Sequence, residues 1–396
     1  MRRAYKFLLR PTTKQEQALT RCAEAHRLLY NAALTERREA YRRAKVTIRY
    51  GDQSAQLKDI RRADPDDQGC WSFSSQQATL RRLDKAMQAF FRRVKTGQRP
   101  GYPRFKGRGW FNTVQWPKDG DGCRWDPTPD ASHTRVYLQG VGHVRVQAHR
   151  KVAGRVKTIS VKREGRRWFV VLACDDVPAQ PLPATGSTVG IDLGVASFLT
   201  TSDGVHIPNP RPLDASRTRL ARAQQALSRC TRGSHRRRKA RQRLAALHGK
   251  IRRQRGDHAH KTALWLVRHH DVIVYEALRI ANMTRSPAPR PEGEGGYAPN
   301  GAAAKAGLNR SILDAGWGVF LSILTAKAES AGRLLTAVDP RNTSRTCPQC
   351  GHCAKDNRVT QADFTCIRCG HTAHADAVAA VNILRAGLAL QAAQAS

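Results

Sequence analysis

The chain has 396 residues, and its 69 Lys and Arg residues outnumber 31 Asp and Glu residues, which gives a formal net charge of +38. This length predicts two or more domains, and this charge favours a polyanionic partner, of which nucleic acid is the most obvious. The sequence contains no run of about 18 or more apolar residues, which excludes a membrane-spanning helix, and Phe7-Leu8-Leu9 is too short for the core of a signal peptide.

The first hundred residues are predicted to be mainly helical. Residues 3–9 read as a strand, and a long amphipathic helix is expected after Pro11, with Thr13 and Glu16 as its capping box. Residues 47–72 are polar and irregular. A second amphipathic helix is predicted from about Leu80 to Gly97.

Alternating apolar and polar residues from about 134 to 173 predict four strands separated by glycine-rich or charged turns. These segments indicate a small antiparallel barrel or sheet, and they are Arg135–Leu138, His143–Val146, Val156–Val161 and Trp168–Leu172. The proline-rich stretch Val177–Pro183 is typical of a linker, so a new domain is expected near residue 186.

The remaining elements begin with the apolar run Thr188–Leu193 and a very basic helical region at 211–262, which holds 17 Lys and Arg residues and 2 acids. The run Val272–Glu276 is typical of a buried strand. The Pro- and Gly-rich segment Ser286–Gly301 indicates a mobile loop. Further on, we expect a helix at about 309–331, a cysteine module at 345–372 and a final Ala-rich helix.

Four cysteines with the spacing of a zinc site form the strongest local motif, which is Cys347-x2-Cys350-x15-Cys366-x2-Cys369. Each CxxC turn presents two thiolates, and four thiolates with no open position predict one structural Zn²⁺. Redox thiols are the alternative. His352, Cys353 and His371 are spare ligand types, and the cysteines scattered singly elsewhere are expected to fill core or neutral positions.

Three acids lie in or beside regular elements: Asp192 within the apolar run Thr188–Leu193, Glu276 at the end of Val272–Glu276, and Asp376 beside the last helix. Hydrolysis of a phosphodiester with two Mg²⁺ needs such carboxylates to converge from separate elements. Taken singly, they are explained as a turn residue, a solvated strand end and a helix cap. A carboxylate within an apolar strand is costly to bury unless it is paired or holds a metal, which favours the metal site.

Basic residues dominate one predicted helix, and no acids interleave with them, so a surface that follows phosphates is favoured over a merely solvated face. The candidates for nucleic-acid binding there are Arg236, Arg237, Arg238, Lys239, Arg243, Arg252 and Arg253. A second cluster at 92–116, which includes Lys106, mixes cations with aromatic residues and suits both bases and phosphates. The alternative for the second cluster is a loop that its aromatic side chains attach to a core.

Over nearly its whole length the sequence resembles the TnpB/OrfB proteins of insertion sequences, relatives of the compact type V CRISPR effectors. The resemblance rests on Gly190-Ile-Asp-Leu-Gly-Val195, on the basic helix pair from Gly233 to Lys261, on Val274-Tyr-Glu-Ala-Leu278, on Thr343-Ser-Arg-Thr-Cys347 and on Asp376–Asn382. Less specific similarity upstream lies at Leu83–Ala86 and Gly101–Lys106.

The resemblance implies an α+β multidomain protein. It implies a wedge-like β-barrel from residues 1–10 and 116–183, with a helical recognition lobe inserted at 11–115. It further implies an RNase H-like (RuvC) core at 186–344 and 373–396, interrupted by a zinc ribbon at 345–372. Asp192, Glu276 and Asp376 would be the catalytic ligands of two Mg²⁺ ions.

The resemblance also implies partners. Members of the family bind a guide RNA transcribed from the end of their own element and cut DNA that pairs with it beside a short flanking motif. By position, Phe73 and Gln76 are candidates for reading that motif. A monomer in the bacterial cytoplasm, associated with the nucleoid, is expected.

Two other functions remain open at this stage. The same fold could serve a regulator that binds nucleic acid without cutting it, although the presence of all three acids argues against this. An accessory transposase that acts in DNA transposition is the other alternative.

Overall fold

The computed structural model describes residues 1–127 and 134–395 and divides the chain into two compact units, Met1–Pro178 and Ala179–Ser396. Val177–Pro183, the predicted linker, spans this boundary. Within the described residues, no helix is both long and apolar enough to cross a lipid bilayer.

The first unit contains a seven-stranded antiparallel sheet in the order β2-β6-β7-β1-β5-β4-β3. Its strands are β1 (Arg3–Arg10), β2 (Thr113–Trp116), β3 (Cys123–Asp126), β4 (Arg135–Leu138), β5 (Gly142–Gln147), β6 (Arg155–Glu164) and β7 (Arg167–Asp175). The strand predicted at 3–9 and the four strands predicted from alternation are confirmed, whereas β2 and β3 were not predicted. Strand β1 lies at the centre although it comes first in the chain, because its alternate residues Tyr5, Phe7 and Leu9 are buried in the core.

Three helices pack in the same unit: α1 (Thr13–Ala44), α2 (Tyr50–Ala63) and α3 (Phe73–Lys95). The predicted capping box of α1 was wrong by one residue. Thr12 is the N-cap, and its side chain accepts a hydrogen bond from the backbone N–H of Gln15. The expectation of irregular structure at 47–72 was also wrong, since α2 forms there although only its Gln53 and Leu57 are buried.

The second unit contains a five-stranded sheet in the order β10-β9-β8-β11-β14. Its strands are β8 (Thr188–Asp192), β9 (Ser197–Thr201), β10 (His206–Pro208), β11 (Val272–Glu276) and β14 (Leu334–Val338). Strands β8, β11 and β14 run parallel, whereas β9 and β10 continue the sheet antiparallel. The carboxyl ends of β8 and β11 therefore lie side by side.

The basic region forms two helices, α4 (Arg217–Ser228) and α5 (His235–His269), and the short helix α6 (Ile280–Met283) follows β11. The predicted helix at 309–331 is two helices, α7 (Ala302–Ala315) and α8 (Trp317–Ala331). Gly316, with φ of 73°, ends the first and begins the second. In the segment expected to be a loop, Ser286–Gly301, strands β12 (Arg290–Glu292) and β13 (Gly296–Ala298) form a small hairpin.

The last helix, α9 (Ala375–Ala395), packs against β8 and β11. Two glycines permit this close approach. A Cβ atom on Gly190 would lie 2.1 Å from the carbonyl oxygen of Ala380, and one on Gly387 would lie 2.4 Å from Cγ1 of Val274. The helix therefore approaches the strands more closely than any residue with a Cβ atom at these two positions would allow.

Candidate functional site

Asp192 and Glu276 end neighbouring parallel strands, and the register that pairs Ile191 with Tyr275 makes them the next residues of β8 and β11. Asp376 lies in the first turn of α9, which packs on β8. A Cβ atom on Gly194 would lie 3.8 Å from Oδ2 of Asp376. The fold therefore brings together three acids that are far apart in the sequence.

Burial disfavours ionisation of Asp192 and Glu276, and repulsion by neighbouring acids adds to this effect at Asp192. Burial, followed by the negative charges of Glu276 and Asp376, raises the pKa of Asp192 to about 7. Burial also raises the pKa of Glu276, whose side chain is only 7% exposed. Such a cluster is unfavourable without a compensating positive charge, which is the condition that a divalent cation relieves.

Two residues that support these acids had no role in the sequence-based prediction. The hydroxyl of Thr343 donates a hydrogen bond to Oε1 of Glu276 over 2.6 Å. The side-chain amide of Asn382 in α9 donates to the backbone carbonyls of Thr343 and Thr346. Helix α9 thereby holds the segment that carries the Glu276 partner. Thr343 and Asn382 both lie in motifs on which the family resemblance rests. The sequence therefore indicated their importance through that resemblance, but not their contacts.

A third residue, Arg358, comes from the cysteine module. Its positive charge acts on Asp192 and lowers the pKa that burial and the other acids raise. Its guanidinium donates to the carbonyl of Gln361. No spacing rule links this arginine to an acid that precedes it by more than 160 residues.

The four predicted zinc cysteines are gathered much more tightly than the three acids. The Sγ atoms of Cys347, Cys350, Cys366 and Cys369 all lie within 4.8 Å of one another. Within residues 1–127 and 134–395, they form the one cluster of three or more Cys, His, Asp or Glu ligands whose ligand atoms lie this close together. The three carboxylates interact electrostatically but are not gathered to that degree.

Two matching turns present the thiols. In the first, the backbone N–H of Cys347 donates to His352 and that of Gly351 donates to Cys347. In the second, Cys366 donates to His371 and Gly370 donates to Cys366. Gly351 and Gly370 both have φ of 73°, a conformation that favours glycine and explains why each CxxC is followed by one. Strands β15 (Asp363–Thr365) and β16 (Thr372–His374) complete this module.

The sulfur positions fit a tetrahedral zinc ion. Sγ of Cys347 lies 3.7 Å from Sγ of Cys369, and Sγ of Cys350 lies 3.5 Å from Sγ of Cys366. A tetrahedron with Zn–S bonds of about 2.3 Å has sulfurs roughly 3.8 Å apart. Although burial opposes ionisation, the backbone amides of Cys369 and Arg368, together with neighbouring thiols, lower the pKa of Cys366 to about 6. The cluster thus favours a thiolate, the form that binds metal.

The other candidate ligands lie outside this cluster. Cys353 is exposed, and the backbone carbonyls of His352 and His371 serve the two turns. Among the scattered cysteines, Cys22, Cys123 and Cys174 are buried, as expected for residues that fill a core.

Most of the basic candidates lie on α5 with exposed side chains, namely Arg236, Arg238, Lys239, Arg243, Arg252 and Arg253. Arg237 differs from them because its guanidinium donates to the carbonyls of Leu227 and Cys230 at the end of α4. Its side chain joins the two basic helices. A phosphate contact by this residue stays a prediction.

The two candidates for reading a flanking motif lie in the first turns of α3. Phe73 is half-buried, with the guanidinium of Arg61 5.8 Å from its ring centre. Gln76 is 1% exposed, accepts a hydrogen bond from Arg61 and donates to Gln68. Base reading by Gln76 stays a prediction, and it would require this buried amide to leave its present partners.

Three family models match parts of this chain. Residues 158–287 match the model of an OrfB family described as a probable transposase, and residues 317–383 match a Cas12f1-like TNB domain. Residues 1–45 match a model described as a helix-turn-helix domain, although here they form one strand and a single long helix.

A protein of Escherichia coli strain K12 named as an RNA-guided DNA endonuclease, InsQ, is 34% identical over 98% of this chain and 93% of its own length. The chain belongs to the TnpB/OrfB family. A second member of this family, from Streptomyces pristinaespiralis and also named as an RNA-guided DNA endonuclease, is 31% identical over 99% of this chain and 91% of its own length. The chain in a cryo-EM structure of CasPhi-2 bound to crRNA is 12% identical over 98% of this chain and 98% of its own length. Its TM-score of 0.49 is too low to support a conclusion.

Proposed function

We propose that this protein is an RNA-guided DNA endonuclease with a RuvC-like active site formed by Asp192, Glu276 and Asp376. In this proposal, residues 186–344 and 373–396 form the RNase H-like nuclease core. The observation that carries it is the meeting of three acids from β8, β11 and α9, in surroundings that raise the pKa of Asp192 to about 7.

Such a set of acids fits Mg²⁺ better than a structural role. Buried carboxylates that only stabilise a fold are normally paired with cations, whereas here two of the three acids raise the pKa of the third. Oxygen ligands of this kind are those that Mg²⁺ prefers. Two bound Mg²⁺ ions would activate water and stabilise the leaving oxygen of a phosphodiester.

The remaining residues of the site would prepare this chemistry. Thr343 orients Glu276 through its hydrogen bond, and Asn382 fixes the backbone of Thr343 to α9. The zinc-binding module, proposed as a ribbon at 345–372, contributes the positive charge of Arg358 beside Asp192. A structural Zn²⁺ held by the four cysteines would keep that module folded.

Guidance by RNA is supported by the names of two relatives that align along nearly the whole chain. A formal charge of +38 suits a protein that carries a nucleic acid, and the exposed cations of α5 offer a surface for it. Pairing between guide and target would then supply the sequence specificity. We further propose a wedge-like barrel at 1–10 and 116–183, a recognition lobe at 11–115 and a monomeric protein.

Replacement of Asp192 by Asn tests the proposed activity. The amide keeps the shape of the side chain but removes a charged metal ligand, so we expect Mg²⁺-dependent cleavage of matched DNA to fall at least 1,000-fold, roughly the loss of 4 kcal/mol of transition-state stabilisation. The amount of copurified RNA should not change. Cleavage products separated on a denaturing gel, together with sequencing of the bound RNA, provide both measurements.

Asp203→Asn serves as the matched control, because Asp203 lies in the turn after β9 and carries no assigned role. A chain with Asp192→Asn that still cuts matched DNA would refute the assignment. A native chain that binds RNA but never cuts would instead support a nuclease-inactive regulator.

The description of the family model as a probable transposase favours a second candidate, an accessory role in DNA transposition. Joined strands in a purified reaction with element ends would support it. Cleavage without joined products would leave the nuclease as the better assignment.

A further inference from the structure

Residues 99–111, which we call the aromatic segment, link α3 to β2 and combine cations with large exposed rings. The exposed fractions are 42% for Tyr102, 48% for Phe105 and 69% for Trp110. Phe111 is buried instead, near Tyr30 and with the guanidinium of Arg82 over its ring. Phe111 thus attaches the segment to the core. Tyr102 packs edge-on against Phe90 of α3, with ring centres 5.2 Å apart, and remains 42% exposed.

Several contacts hold the aromatic segment in place although it contains no helix or strand. The backbone N–H of Lys106 donates to Asn31, and its carbonyl accepts hydrogen bonds from Asn31 and Arg27. The backbone N–H of Trp110 donates to the carbonyl of Gly107, and a Cβ atom on Gly107 would lie 3.2 Å from Cδ1 of Trp110. The exposure of the rings is therefore a defined feature, since the backbone between them is fixed.

The charge around these rings has one sign. No Asp or Glu occurs between Asp84 and Asp119, whereas the same stretch contains nine cations, which are Lys85, Arg92, Arg93, Lys95, Arg99, Arg104, Lys106, Arg108 and Lys118. Within the described residues, none of the cations from Arg92 to Arg108 forms an ion pair within 4.0 Å, although the charge of Arg108 helps to lower the pKa of Glu24 on α1. This positive charge favours a polyanion as the ligand of the aromatic segment and argues against an apolar protein partner.

Exposed rings among cations are suited to unpaired nucleotides. Bases of a duplex are already stacked on each other, whereas an unpaired base offers its face to an aromatic ring. In the proposed function the guide RNA is the resident nucleic acid, whereas target DNA is present only transiently, so the guide RNA is the expected occupant.

We propose that Tyr102, Phe105 and Trp110 form a stacking platform for unpaired nucleotides of the guide RNA, with the neighbouring Arg and Lys residues on its phosphates. This inference rests on the proposed function for the identity of the RNA. It assigns to these rings a role separate from both DNA cleavage and motif reading.

Binding of short oligonucleotides to the full-length, RNA-stripped protein tests the platform. The probes are a 20-nucleotide single-stranded RNA, a hairpin RNA of equal length and single-stranded DNA of the same sequence, measured by fluorescence anisotropy at fixed salt. Trp110→Ala should weaken binding of the single-stranded RNA roughly ten-fold, the loss of one stacked base, with less than a two-fold change for the hairpin. Trp110→Phe keeps a ring and should retain most of the affinity.

Tyr41→Ala is the matched control, because Tyr41 is 58% exposed on α1, outside the platform. Circular dichroism and thermal melting should be unchanged in every variant. A direct readout is also available, since Trp110 is the most exposed of the seven tryptophans and bound RNA should protect its fluorescence from acrylamide quenching.

Unchanged RNA binding by Trp110→Ala, an equal loss for the hairpin, or a loss confined to single-stranded DNA would each overturn the platform. If Trp110→Ala binds RNA normally and still performs guided cleavage, the stacking platform is refuted and the proposed function is not. A native chain that binds no RNA would overturn the proposed function as well.

Discussion

The two candidate metal sites of the second unit differ in how the chain brings their ligands together. The four cysteines lie within 23 residues, and two short turns hold their sulfurs within 4.8 Å of one another. The three acids come from two strands and a helix, and burial together with repulsion from Glu276 and Asp376 raises the pKa of Asp192 to about 7. Local hydrogen bonds position the ligands of the proposed structural site, whereas the proposed catalytic site depends on the assembly of the whole sheet and retains unfavourable charge.

Among the changes that test the difference between the two sites, loss of zinc should have the largest effect on folding. Cys366→Ser removes one of four thiolates, so we expect zinc content to fall from about one ion per chain to near zero and residues 345–372 to unfold, because binding of structural zinc supplies folding free energy. Cleavage should fall more than 100-fold, since the segment carrying Thr343 and Arg358 would lose its support. Metal analysis and hydrogen exchange provide the measurements.

Cys353→Ser is the matched control, because this exposed thiol lies outside the cluster and its replacement should leave zinc content unchanged. If Cys366→Ser bound zinc normally and Cys353→Ser did not, the assignment of the four ligands would be wrong.

Burial of Asp192 and its repulsion by the other acids predict an intermediate effect on stability in the absence of Mg²⁺. Below about pH 4, Asp192 is protonated in both the native and unfolded states. As the pH rises from about 4 to 7, the unfolded chain releases this proton while the native chain retains it, so the free energy of unfolding decreases. The decrease should be about 4 kcal/mol, and it should level off above pH 7.

Asp192→Asn removes this titration. At pH 8 without added Mg²⁺, the zinc-loaded variant should be more stable than the native chain in urea unfolding, and the difference should disappear near pH 4. A variant that is less stable than the native chain at pH 8 would show that the surroundings of Asp192 do not disfavour its charge.

A smaller effect is expected at Thr343. Thr343→Val removes the hydroxyl that donates to Glu276, which leaves a buried carboxylate without that hydrogen bond and should cost about 1–2 kcal/mol. Cleavage should therefore fall roughly ten-fold, and Thr343→Ser should restore it. Initial rates of cleavage at saturating Mg²⁺ measure the change.

Thr346→Val is the control on the same segment, because the Thr346 hydroxyl donates only to the carbonyl of Asn342. Equal losses in the two valine variants would indicate that the segment responds to any β-branched apolar residue, and the specific role of Thr343 would be rejected.

The contrast between the two sites also explains what could be predicted from the sequence. The cysteine cluster follows a local spacing rule, and its four sulfurs are gathered as that rule predicts. Each acid alone fitted an ordinary structural explanation, and its interaction with the other two depends on a strand register that no local pattern determines. The roles of Thr343 and Arg358 depend on long-range contacts in the same way.

Errors in the fold have similar physical causes. Helix α2 is so polar that its apolar periodicity gave no signal, and β2 and β3 are each only four residues long. Gly316 was read as an interior helix residue because its left-handed conformation depends on the packing of α7 and α8. The partners of Gln76 include Arg61, 15 residues earlier, which a sequence pattern does not reveal.

The close approach of α9 to β8 through Gly190 has a consequence for the timing of activity in the cell. During translation, β8 and β11 leave the ribosome well before α9, so the nascent chain contains Asp192 and Glu276 but neither Asp376 nor the helix that covers β8. For a chain that cuts DNA as proposed, the enzyme cannot assemble its full set of acids until the helix has been synthesised. An incomplete polypeptide that lacks α9 therefore cannot cut the DNA of its host.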